Sequence, residues 1–251
     1  MSNEEVSLPK LKKDYNKNPK NIDIALNYAK ALSDAKKFKQ AEKILDKLSE
    51  IFPENGRVDY GLGYNEIIQR NDRNALKHLH KAIEKGYTEH FVYHNIGLTY
   101  RLMGEFNSAL KYFDKVLEMK PDFEDTIFHK GALYFFMEKF DISLDIINEV
   151  IEINPKNGAY YAMRALIFAR TNKFDEFLED ISKAREYFTD LTEEQKKQIP
   201  LMVIFVALQG IKVPPEEYMM WMKLAEEREK EFSEMEKEIF KRGQQMLKNL
   251  M

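Results

Sequence analysis

His90 and His94 stand four residues apart, the spacing that sets two imidazoles on one helix face where they can share a metal ion. The residues between them are Phe91, Val92 and Tyr93, so the glutamate that acts as general base in helical His-Glu-x-x-His sites is missing. A metal site would need Glu89 or His129 as further ligands, delivered by the fold. The chain has no cysteine, which removes disulfides, thiolate ligands and a thiol nucleophile. It has no glycine-rich phosphate loop and no nucleophile elbow. These residues predict no catalytic site, no metal and no cofactor, and a protein that is not an enzyme. What the sequence offers instead is aromatic surface. Phe128, Ala132, Phe135 and Phe136 fall at i, i+4, i+7 and i+8, one stripe of a helix, and Ile127, Gly131 and Tyr134 form a second. Tyr60, Tyr64, Ile67 and Ile68 repeat the first stripe. Aromatic patches of this size mark interaction sites. They suit an amphipathic helix or an extended apolar segment, from a partner or from the chain itself.

Such stripes require helices held in register, and the chain has a period that would hold them. In residues 90–123, Tyr93, Ile96, Gly97, Tyr100, Ala109, Phe113 and Val116 mark apolar positions 4, 7, 8, 11, 20, 24 and 27, and Pro121 follows at 32. Position 8 is Ala29, Gly63, Gly97, Gly131 or Ala165 in successive units, small because two helices approach closely there. Position 17 carries Phe38, Phe106, Phe140 and Phe174. Prolines at position 32 (Pro53, Pro121, Pro155) stop the second helix. This pattern resembles the tetratricopeptide repeat, whose period is 34. The resemblance implies an all-α fold, a right-handed superhelix or α-α solenoid with an N-terminal half-repeat helix and C-terminal capping helices. The units run 22–55, 56–89, 90–123, 124–157 and 158–191, preceded by a tail and capping half-repeat over 1–21 and followed by a helical extension over 192–251. Some positions depart from the pattern: Asp59, Glu66, Asp72 and Tyr87 in the second unit, Lys130 and Ser143 in the fourth, and Arg164, Phe177 and Thr189 in the fifth.

The resemblance further implies that the first helix of each unit lines a concave groove. Its residues would be Tyr60, Tyr64 and Ile67, then Phe91, His94, Leu98 and Arg101, then Phe128, Phe135 and Phe136. The Lys/Asn/Asn/Lys/Arg clamp by which chaperone-binding members hold a terminal carboxylate is absent in every register. The expected function is a non-catalytic protein–protein interaction module: an adaptor, scaffold or co-chaperone-like protein binding a peptide or helix in this groove. The alternative is a self-associating assembly subunit whose C-terminal helices fill the groove or dimerise.

Composition sets outer bounds. A net charge of -3 over 251 residues argues against nucleic acid and anionic membrane as partners. The start lacks the basic and apolar regions of a signal peptide, and the apolar run 199–208 is too short to span a bilayer, so a cytoplasmic protein is expected. Beyond residue 191, Thr192 to Gln195 reads as a capping box. Pro214-Pro215 opens a long helical segment. Phe232, Met235, Ile239 and Met246 form a short seam through which the 216–251 helix would make a homo-oligomer.

Overall fold

The structure, a computed structural model, describes residues 7–171 and 173–188. The expected helices and pairing seam beyond residue 191, and Thr189, lie outside the described residues. Among the described residues the chain is helix and turn, with no strand. A single helix, α1 (Leu8–Lys17), precedes five pairs: α2 (Ile22–Asp34) with α3 (Phe38–Ile51), α4 (Gly56–Ile68) with α5 (Asp72–Glu84), α6 (His90–Leu102) with α7 (Phe106–Met119), α8 (Glu124–Phe136) with α9 (Phe140–Ile153), and α10 (Gly158–Arg170) with α11 (Phe174–Tyr187). The chain divides into two compact units, Met1–His129 and Lys130–Met251, the division falling within α8.

Local chemistry starts and ends these helices. Asn21, Asn55 and Asn157 each precede a first helix, and their side chains accept from the backbone N–H of Ile24, Arg57 and Ala159 at 3.1, 3.1 and 3.0 Å. Each satisfies a donor that the helix itself cannot. Within four of the pairs the first helix ends on a left-handed residue: Lys36, Arg70, Gly104 and Glu138, with φ of 57°, 64°, 77° and 59°. The next N–H then folds back five residues, Lys37 to Leu32 at 2.8 Å and Glu105 to Tyr100 at 2.9 Å. This closure satisfies the last carbonyls and reverses the chain.

In the first unit α1 packs on α2 through Leu8, Leu11 and Tyr15, which cover the core cluster of Ala25, Tyr28, Ala29 and Leu32. At Gly97 a Cβ would lie 2.5 Å from the ring of Phe113, so α6 and α7 touch at the smallest side chain available. In the second unit Gly131 meets Ile147 in the same way, at 2.7 Å.

Several departures from the repeat pattern have local partners. Asp59, 3% exposed, receives Lys85 Nζ at 2.6 Å and Lys81 Nζ at 3.4 Å, and Lys85 also donates to the Pro53 carbonyl. Ser143 donates to the Gly131 carbonyl at 2.8 Å, which satisfies a buried hydroxyl. Arg164 grips Asp180 through Nε and Nη2 at 2.6 and 2.8 Å and donates to Asn148 at 2.7 Å. Phe177 is buried as an ordinary core ring.

Candidate functional site

In the first unit consecutive first helices are joined edge to edge by polar side chains. Ser33 of α2 donates to Asn65 of α4 at 2.8 Å, and Tyr64 donates to Asp34 at 2.6 Å. Asn95 of α6 donates to the Tyr60 hydroxyl at 2.9 Å. His94 Nδ1 and Thr126 Oγ1, in the first turn of α8, share a hydrogen bond of 2.7 Å. These bonds fix the register of the helices whose outer stripes form the expected surface. Asp34, Asn95 and Thr126 were not singled out from the sequence. A lone polar residue beside an apolar stripe looks the same whether it bonds to a neighbour or to water.

On this scaffold the structure brings together most of the expected aromatic residues of the first unit. Tyr60 of α4 lies edge-on to Phe91 of α6, with ring centroids 5.2 Å apart, and tilts against Tyr64 at 6.4 Å. Tyr87, from the turn before α6, closes the group at 5.7 Å from Tyr60. Lys30 of α2 sits 5.0 Å over the Tyr64 ring. Tyr60, Tyr64, Ile67, Phe91, Leu98, Arg101 and Phe128 are all half-buried. Tyr60, Ile67 and Phe91 also back onto the core cluster of Leu79, Val92 and Ile96, so one flank of each belongs to the interior. In the second unit Phe135 is buried, 4% exposed, against Phe136 and Phe140 at 5.6 and 5.7 Å. Of that pair only Phe136, 49% exposed, presents apolar surface.

The basic members are His94 and Arg101 of α6 and His129 of α8. His94 and His129 approach with ring centroids 5.7 Å apart, and Phe128 tilts on His129 at 5.4 Å. His90 instead stacks edge-on against Phe123 at 5.0 Å. Among the described residues no group of three or more His, Asp or Glu is placed to hold a metal ion. Burial pushes the His94 imidazole down to about 4, with the charges of His90 and Arg101 adding to the effect. Burial, then Arg101, then His94 push His129 down to about 3. Both rings are therefore neutral near pH 7. Burial, with Arg70 nearby, lowers Arg101 below its usual value, and burial raises the hydroxyls of Tyr60 and Tyr64. The surface is thus apolar and aromatic, with neutral imidazoles and one guanidinium at the end of α6. Among the described residues no helix is long and apolar enough to cross a membrane.

Comparison with known proteins gives a consistent result. Tetratricopeptide-repeat family models match residues 90–123 and residues 8–62. No curated protein sequence matches this one. Among solved structures, YrrB, described as a tetratricopeptide-repeat protein with an unusual peptide-binding site, superposes with a TM-score of 0.56 at 18% identity, covering 79% of this chain and 100% of that one. MamA gives 0.56 at 20% identity over 67% of this chain and 95% of that one. A tetratricopeptide repeat protein from Parabacteroides merdae ATCC 43184 gives 0.62 at 18% identity over 78% and 76%. At these identities the likeness is one of fold: all-α, built of stacked helical pairs.

Proposed function

We propose that this chain, which belongs to the tetratricopeptide-repeat family, is an adaptor that holds a peptide or helix of another protein along α4, α6 and the first turns of α8. Its repeats make it a protein–protein interaction module. The finer reading, a docked segment, is supported by one observation above others. Tyr60, Tyr64, Phe91, Leu98 and Phe128 remain half-buried on consecutive first helices, whereas their counterparts on the inner stripe, such as Ile96 and Ile127, are fully covered. Apolar surface held in fixed register by side-chain hydrogen bonds is preorganised for a partner and pays little ordering entropy on binding. The solved relative described as having a peptide-binding site supports the same class of ligand.

The test compares wild type with a Tyr64→Ala, Leu98→Glu, Phe128→Glu variant that keeps its helical circular dichroism. A partner retained by wild type and lost by the variant supports the reading. Equal retention by both would move the site off this surface.

A further inference from the structure

Arg101 occupies the last turn of α6 on the same stripe as His94 and Leu98. Its Nε is buried and makes no hydrogen bond. Among the described residues no carboxylate lies within 4.0 Å of its guanidinium. Other well-covered cations of the chain differ. Arg164 and Lys85 close on Asp180 and Asp59 at 2.6 Å; Arg170, whose Nη1 is also buried without a hydrogen bond, still has a carboxylate, that of Glu138, at a loose 3.9 Å. A half-buried guanidinium with no counter-charge within reach is solvated poorly and leaves a positive charge on the surface for a partner to balance. The charge acting on Arg101 is that of Arg70, which is also positive and is only loosely countered by Asp72 at 4.0 Å. The charge of Arg101 also acts on His129, which lies 5.7 Å from His94 and whose Nδ1 is buried and unpartnered. The neutral imidazole can donate one N–H without adding charge. Phe128 and Phe113 flank that ring.

We propose that Arg101 and His129 receive a carboxylate side chain of the docked segment, so the partner presents one Asp or Glu within an apolar helix or strand. The proposal rests on the reading of this surface given above. The Nη1 and Nη2 groups at the end of the guanidinium offer two parallel N–H donors that match the two oxygens of a planar carboxylate. One guanidinium and a neutral imidazole balance a single negative charge. The aromatic rings of α4 and α6 then take the apolar neighbours of that acid.

The experiment pans short random peptides, displayed without a free C-terminus, on the full-length protein as wild type, Arg101→Gln and Arg101→Lys, each shown by melting to be folded. The expected selection on wild type is an apolar sequence with an acid at one fixed place. A synthetic peptide of that sequence should bind wild type about tenfold more tightly than its Glu→Gln counterpart. Arg101→Gln should bind the two peptides equally, and Arg101→Lys should keep part of the preference. Apolar selections without an acid, or equal binding of both peptides by wild type, would overturn the carboxylate subsite and leave the apolar surface standing. No selection on wild type would overturn both. Selection of sequences matching residues 216–238 of this chain would assign the surface to its own tail or a second copy and overturn a separate partner.

Discussion

The Phe113 ring lies where a Cβ on residue 97 would stand: its Cε1 is 2.5 Å from that position, and the ring is fully buried. The contact between α6 and α7 is therefore set by the absence of a side chain on one helix and a large ring on the other. Gly97→Ala should destabilise by about 1–3 kcal/mol through overpacking. Phe113→Ala should cost about 3–5 kcal/mol through the cavity it leaves. Gly104 separates packing from backbone strain, because a Cβ there would meet nothing within 4 Å while φ is 77°. Gly104→Ala should cost only about 1–2 kcal/mol. Urea unfolding followed by circular dichroism reads all three, and the expected order is Phe113→Ala above Gly104→Ala.

The Arg164–Asp180 pair makes a second prediction. Asp180 is 2% and Arg164 18% exposed, and two parallel hydrogen bonds join them. Asp180→Ala leaves the guanidinium in the interior with only Asn148, which should cost about 3–5 kcal/mol. Replacing both partners, Arg164→Met with Asp180→Leu, removes the charges together and should recover most of that loss. A double variant as unstable as Asp180→Ala would show that the pair does more than satisfy its own burial.

The two buried imidazoles predict a pH dependence. His94 and His129 have folded values near 4 and 3, below the unfolded value of about 6.5. The unfolded chain thus binds protons that the folded chain refuses, and stability falls as pH drops from about 6.5 toward 4. Above about 6.5 the two residues impose no such penalty. Melting temperature should decline between pH 7 and pH 5 in wild type, and the decline should shrink in His129→Gln. An unchanged decline in that variant would assign the dependence to other groups.

Much of the fold was legible because the repeat depends on small residues at fixed spacing. Gly63, Gly97 and Gly131 mark close helix contacts that no other residue type would announce as clearly. The left-handed turns were legible only at Gly86 and Gly104. Lys36, Arg70 and Glu138 take the same conformation through the backbone bonds around them, against their own preference. Asp59 and Arg164 broke the apolar pattern because their partners, Lys85 just past the end of α5 and Asp180 on α11, come from the second helix of the pair, where periodicity carries no information about pairing. For the surface, the stripe was visible but its depth was not. Phe135 and Phe136 are adjacent, yet Phe140 buries one and leaves the other half exposed. The polar bonds of Asn95 and Thr126, and the contact of His129 with His94, required the helices to be set side by side.

The central claim is tested most directly by placing a photo-crosslinking amino acid singly at Tyr64, Leu98 and Phe128, and as controls at Lys77 and Lys111, exposed residues on second helices. The account predicts that the first three capture the same partner segment in extracts of the source cells and that the two controls do not. Equal capture from Lys77 and Lys111, or capture from Tyr64, Leu98 and Phe128 of nothing but copies of this chain, would contradict it.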